Sequence, residues 1–308
     1  MTGKILPNCK ARYLEFIRDT IKPLALAILL IFFVLNSDTV RADVYDTILY
    51  LSSKLIPTLF PFAVITQLIL RENLKIPFSG FLCKLLGIPR NLITPLILGI
   101  ICGFPIGAIL VRDLYKQGAV EKKEAERIII LSSQPSIAFL LFISKQTEDI
   151  FHQGNLLPAS LLVILCFLIF SKRKDSKFGI SNVISRQSIP LTSCITASGE
   201  AMISLSFFVT AFCAVASVIK STLKNPNIIA LILPFLEIST ATSYLSSGII
   251  SDNLKLFLIP FSVGFSGLSV YMQIKNILSD TDLGIKKYIP VKLLQGLIFG
   301  VLIYIIYT

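Results

Sequence analysis

Gly103-Phe104-Pro105-Ile106-Gly107 interrupts one long apolar run of this chain, and Gly264-Phe265-Ser266-Gly267 interrupts another. A short segment and then a basic stretch follow each break. Lipid tolerates unwound backbone only where protein buries it or a wet cavity adjoins it. Paired interruptions at matching places in two halves of a chain point to the binding site of a membrane transporter. These two stretches therefore decide the fold class and show where function should lie.

Composition agrees. The 308 residues are 54% hydrophobic and only 15% charged, with a mean hydropathy of +0.78; a soluble domain carries more charge and separates its apolar runs. Apolar segments fall at 23–36, 45–70, 91–111, 126–144, 156–171, 200–219, 228–248, 254–275 and 289–307. The stretch 76–88 is shorter, either an interfacial helix or one leg of a re-entrant hairpin. The reading is an all-α polytopic membrane protein, an inverted-repeat, transporter-like bundle with discontinuous or re-entrant helices.

The net charge of +11 lies in short loops and at segment ends. That distribution suits topology signals and contacts with anionic membrane lipid. It does not suit a nucleic-acid binder, which gathers charge on one soluble face. The cysteines at 9, 83, 102, 166, 194 and 213 show no Cys-x-x-Cys spacing; most lie in or beside apolar runs, where a free thiol behaves as a small hydrophobe, and they imply neither a disulfide framework nor a metal knuckle. The first apolar run is followed by Asn36-Ser37-Asp38 rather than a small-x-small cleavage pattern, so it reads as a retained anchor.

Positive charge sets the sidedness. Lys4, Lys10, Arg12, Arg18 and Lys22 place the N-terminus inside, while Asp38, Asp43 and Asp46 suit an outside loop. Arg71, Lys75, Lys84 and Arg90 ask for the inside, as do Arg112, Lys116, Lys122, Lys123 and Arg127. Both flanks of 91–111 thus prefer one side. Either that segment is a hairpin broken at Gly103–Gly107, or 76–88 enters the membrane and restores parity. The loop holding Lys172, Arg173, Lys174, Lys177 and Arg186 is cytoplasmic, so 200–219 runs outward. Lys275, Lys286, Lys287 and Lys292 ask for the inside again, so 228–248 re-enters rather than spans. Residues 1–44 then form a cytoplasmic N-terminus and first anchor, 45–144 and 200–308 two opposed repeats, and 145–199 a connecting span and basic loop. This geometry puts a small-molecule solute at the repeat interface near the bilayer midplane.

Glu237 is the outstanding side chain, a carboxylate inside an apolar run, which costs at least about 2.5–3.5 kcal/mol and by default marks function. Pro234 and the hydroxyls of Ser239, Thr240 and Thr242 allow local unwinding beside it. At the first break, Gly103 and Gly107 permit close backbone approach and Pro105 frees a carbonyl. A half-helix starting near Gly107 would aim its amides at an anion. The competing reading is packing alone, through the small-residue spacing Gly99-x-x-x-Gly103-x-x-x-Gly107. Ser133, Gln134 and Ser136 beside Pro135 suggest a second discontinuous helix, or hydrogen bonding between helices. After the second break, formed by Ser266 and Gly267, Ser269 and Gln273 would share a helix face. Arg112-Asp113 and Glu124-x-x-Arg127 read as interfacial pairs, and the single His152 as a solvated loop residue. No nucleophile–base set, zinc motif, Walker A loop or dinucleotide fingerprint is present. Neither enzyme nor cofactor chemistry is expected, and monomer and homo-oligomer both stay open.

The set Gly103-Phe104-Pro105-Ile106-Gly107-Ala108, Lys116-Gln117-Gly118, Glu124-Ala125-Glu126-Arg127, Leu236-Glu237-Ile238-Ser239-Thr240 and Gly267-Leu268-Ser269-Val270-Tyr271-Met272-Gln273 resembles the YlbJ-type sporulation integral membrane proteins, which carry a nucleoside-recognition (Gate) domain. Leu55-Ile56-Pro57-Thr58-Leu59-Phe60-Pro61-Phe62 fits as well, and the likeness runs over about residues 45–305. Phe104, Ile109 and Ser132-Ser133-Gln134 depart from the pattern, replacing a Tyr, a Lys and an Asn-rich stretch. The resemblance implies a fold akin to concentrative nucleoside transporters. It also implies passage of a small, anionic solute, dipicolinic acid, across the outer forespore membrane. A nucleoside or cation-coupled importer, and a structural protein of spore assembly, are the alternatives.

Overall fold

Prolines and glycines cut the apolar runs into short helices, and the cuts determine how the chain folds back on itself. The computed structural model describes residues 9–71, 79–147, 150–151, 156–170 and 190–308. His152 and the basic residues 172–186 lie outside the described residues. Helix α1 (Cys9–Leu35) leads to α2 (Ser37–Tyr50), which continues through a π-helical turn at Leu51–Leu55 into α3 (Ile56–Arg71). Then come α4 (Ser79–Leu86), α5 (Arg90–Cys102), α6 (Ile106–Lys116), α7 (Lys122–Ser132), α8 (Ile137–Gln146) and α9 (Leu156–Phe170). The second half holds α10 (Leu191–Thr222), α11 (Pro226–Leu236), α12 (Ile238–Leu245), α13 (Asp252–Phe265), α14 (Gly267–Ile277) and α15 (Tyr288–Tyr307).

Among the described residues, five stretches are long and apolar enough to cross a membrane: Ser37–Ile69, Lys122–Gln146, Leu191–Thr222, Asp252–Ile277 and Tyr288–Tyr307. The count rises to six if α4 and α5, bent by 89° at their junction, form one broken span. The protein is an all-helical, multi-pass membrane bundle.

The parity conflict around 91–111 resolves in favour of a hairpin. Asn91 Nδ2, at the start of α5, donates to Ala119 O just beyond α6, at 2.5 Å. Arg127 donates to Gly87 O at 3.0 Å and Leu86 O at 3.1 Å. Both ends of α5–α6 therefore lie at the same basic end of the bundle, with residues 103–105 at the tip. The second half repeats the arrangement. Tyr244 Oη donates to Pro226 O at 3.5 Å, closing the base of α11–α12, with Glu237 at its tip. Helix α11, with 11 residues, rises only about 16 Å, half of what a crossing needs.

Hairpin, broken span and unbroken helix thus occur twice in this order: α5–α6, α7–α8, α9 and then α11–α12, α13–α14, α15. The order gives a different pairing from the one the two glycine-rich breaks suggest. By position the Gly103 break matches Glu237, and the Gly264–Gly267 break matches Ser133–Ser136. The 289–307 run matches α9, not 126–144.

The two ends of the bundle differ in charge. At one, Asp43 of α2 pairs with Lys220 of α10 at 2.7 Å, as expected if α10 runs outward. At the other, the loops after α6 and α14 clasp each other. Tyr115 Oη donates to Asp282 at 2.7 Å, Lys122 to Asp282 at 3.0 Å, Lys116 to Asp280, and Gly284 N to Glu126 Oε1 at 2.8 Å. Inside lipid, packing rather than water exclusion holds helices together, and small residues let them approach. A Cβ on Gly264 would lie 2.8 Å from Gly296 Cα, and one on Gly300 would lie 2.8 Å from the Phe257 ring. Helices α13 and α15 meet along this strip.

Candidate functional site

Each hairpin tip sits in the crook of the broken span that follows it. Gly103, at φ 79° and ψ −178°, occupies backbone space that side chains all but forbid. A Cβ there would be 2.5 Å from Ser136 N. Phe104 N donates to Gln134 O at 2.9 Å, tying the tip to the α7–α8 break. In the second half the glycine is on the span: a Cβ on Gly267 (φ 79°) would be 2.9 Å from Leu236 O and 3.2 Å from Glu237 Cα. The close approach these glycines permit is therefore to protein backbone. Gly107 likewise seats on Ser132, as Gly99 does. The packing reading of Gly99, Gly103 and Gly107 is the one the structure supports.

Glu237 is only 1% exposed and caps α12, its Oε2 accepting from Thr240 N at 2.6 Å. An extended φ of −152° at this residue ends α11 and starts α12. Two cavities meet at this residue. The outer one, about 390 Å³, is lined by Asp43, Asp46, Thr47, Tyr50, Cys213, Lys220, Glu237, Ser239, Thr240, Thr242, Ser243, Tyr244 and Ser247, among others. The inner one, about 30 Å³, lies where both tips and both broken spans converge, and Phe104, Ser136, Glu237, Ser239 and Gln273 are among the residues lining it. Val209, Glu237 and Ser239 belong to both.

The sequence-derived residues thus divide. Ser136, Glu237, Ser239 and Gln273 come together at the inner cavity, and Thr240 and Thr242 face the outer one. Ser269 accepts from Gln273 Nε2 at 3.2 Å, the shared helix face expected of them. Ser133 turns its hydroxyl back to Ile129 O at 2.5 Å, and Ser266, left-handed at φ 70°, turns its own to Val263 O at 3.2 Å. Pro105, joined to Phe104 by a cis bond, precedes α6. Ser133, Ser266 and Pro105 line neither cavity.

Gln134 belongs to a cluster the sequence did not reveal. Its Oε1 accepts from Gln295 Nε2 at 2.7 Å and from Lys292 Nζ at 3.1 Å, and Lys292 also donates to Gln295 Oε1 at 3.2 Å. Lys292 is fully buried, so it is not the interfacial sidedness marker that its place near the start of an apolar run suggested. Its three-residue spacing to Gln295, on one helix face, was the available signal. The outer-cavity residues Asp43, Asp46, Tyr50 and Lys220 were missed as a site because they converge from helices far apart in sequence.

Charge in the outer cavity is acidic on balance. Asp43 and Lys220 neutralise each other, and no second basic residue stands opposite Asp46 and Glu237 among the described residues of the lining.

In an alignment 300 positions long that covers 82% of this chain, it is 21% identical to the sporulation integral membrane protein YlbJ of Bacillus subtilis (strain 168), 73% of which is covered. It resembles the YlbJ-type membrane proteins. No protein-family model matches it, and no solved structure does.

Proposed function

We propose that the chain is a transporter or gated channel for a small polar solute in a spore-forming bacterium, and not an enzyme. The observation that carries this is the placement of Glu237, a buried carboxylate where an open, hydroxyl-lined cavity meets a constriction made by two hairpin tips. Likeness to a sporulation membrane protein supports a role in sporulation. The resemblance in sequence suggests dipicolinic acid as the cargo and the outer forespore membrane as the place.

The acidic lining shapes that reading. A dianion entering beside Asp46 and Glu237 meets like charge in a medium of low dielectric. Dipicolinate would therefore enter protonated or with a compensating cation. The hydroxyls of Thr47, Tyr50, Ser243 and Ser247 also suit a neutral solute with several polar groups, which keeps a nucleoside as the second reading. The test is uptake of labelled dipicolinate and uridine into liposomes carrying wild type or Glu237→Gln. Dipicolinate flux that the substitution abolishes supports the first reading, and uridine flux the second. Flux of neither, from verified folded protein, refutes transport of these solutes and leaves a structural role in spore assembly.

A further inference from the structure

The inner cavity has chemistry that the solute path alone does not explain. At about 30 Å³ it admits one or two bodies the size of a water molecule, too little for an aromatic dicarboxylate or a nucleoside. Gln273 is 2% exposed and its Oε1 has no hydrogen-bond partner among the described residues. A buried acceptor left unmade costs about 1–3 kcal/mol, so something that donates or carries positive charge belongs opposite it. The Glu237 carboxylate lines the same space, held by the amide of Thr240. Ser136 and Ser239 add hydroxyl oxygens, and no lysine or arginine lines the cavity among the described residues. One carboxyl group, one amide and two hydroxyls line it, a set whose acceptors are all oxygen and which carries a single negative charge when the carboxyl is ionised. Oxygen shells suit hard cations, and a single charge is balanced by a monovalent one.

We propose that the inner cavity is a binding site for one dehydrated monovalent cation, sodium in the first instance, held by Glu237, Gln273, Ser136 and Ser239. Because these residues come from α8, the α11–α12 tip and α14, an ion there ties both halves of the bundle together. It also neutralises the carboxylate that an incoming anion would meet. The inference rests on reading the central cavities as the solute path, but its test needs no transport.

Purified protein in detergent is melted by circular dichroism in sodium, potassium and choline chloride at equal ionic strength. Binding of radioactive sodium to the same preparation is measured directly. Sodium at about tenfold its dissociation constant should raise the midpoint by a few degrees over choline. Gln273→Leu and Glu237→Gln should abolish both that increment and the bound isotope. Gln273→Leu removes the unpartnered acceptor together with the one hydrogen bond to Ser269, so in choline it should melt within a few degrees of wild type, which separates lost binding from lost folding. Equal midpoints in all three salts with no isotope bound overturn the site. So does a sodium increment that survives both substitutions, or a stabilisation that follows pH alone. Absence of sodium binding with solute flux intact sinks the ion site and spares the transport reading; the reverse result does the opposite.

Discussion

Replacing Gly103 by alanine tests the contact on which the first half is built. Two penalties act there. The backbone, at φ 79° and ψ −178°, lies in a region nearly reserved for glycine, which costs a non-glycine residue about 1–3 kcal/mol. The new methyl would also stand 2.5 Å from Ser136 N, 2.8 Å from Ser136 Cβ and 2.9 Å from Ser136 Cα. Backbone cannot swing aside as the end of a flexible side chain can, so overpacking adds about 1–3 kcal/mol. The sum is about 2–6 kcal/mol.

Gly118→Ala is the control, because its φ is also positive, at 69°, but nothing stands within 4 Å of its Cβ. It should lose only about 1–2 kcal/mol, the backbone share. The assay is thermal unfolding in detergent by circular dichroism, with hydrogen exchange at the Phe104 amide, which donates to Gln134 O. A loss of about 4 kcal/mol taken up as local opening would speed that exchange roughly a thousandfold. If Gly103→Ala melts with Gly118→Ala and the Phe104 amide stays protected, the hairpin tip does not seat against Ser136, and the two-hairpin architecture is wrong in its first half.

Cys213 lines the outer cavity beside Thr47, its Sγ 2.9 Å from Thr47 Oγ1; a small methanethiosulfonate should slow solute flux in wild type and leave Cys213→Ser unaffected. Gln134→Leu should destabilise by about 3–5 kcal/mol, because it strips Lys292 of an acceptor in a buried site, and adding Lys292→Met should restore most of the loss; a double variant as unstable as Gln134→Leu alone would refute that coupling. In the clasp, the Lys116 ammonium holds the Asp280 carboxyl below the usual range, and Tyr115 and Lys122 do the same for Asp282. A depressed carboxyl contributes stability above its unfolded value, about 3.9, and loses it as pH falls through the lower folded value. Hydrogen exchange in 278–287 should therefore stay slow down to about pH 4 and rise below it; a rise at neutral pH would show that these pairs do not hold the loop.

Much of the architecture was legible because lipid leaves the backbone few options. Apolar length marked the runs 45–70, 126–144, 200–219, 254–275 and 289–307 that hold the candidate spans, whereas 23–36 and 156–171 fall in shorter helices. Basic flanks on both sides of 91–111 left a hairpin there as one of two solutions, between which the contacts of Asn91 and Arg127 decide. Glu237 stood out by the cost of a carboxylate in an apolar run. The repeat correspondence was misjudged because glycine marks close backbone approach without saying which partner makes it. In the first half the glycine is on the hairpin tip, Gly103, and in the second it is on the broken span, Gly267, so matching glycine to glycine pairs unlike elements. Lys292 was misjudged for a related reason. A lysine near the start of an apolar helix has the same sequence signature whether it snorkels to the surface or turns inward, and only the arrival of Gln134 from another helix decides. The inner cavity combines both lessons: Ser136, Glu237 and Gln273 each show a local oddity in sequence, but the unmade hydrogen bond at Gln273 exists only once three elements close around it. That empty acceptor, rather than the glycine-rich breaks themselves, is the feature with the sharpest chemical demand, and positive charge is what would meet it.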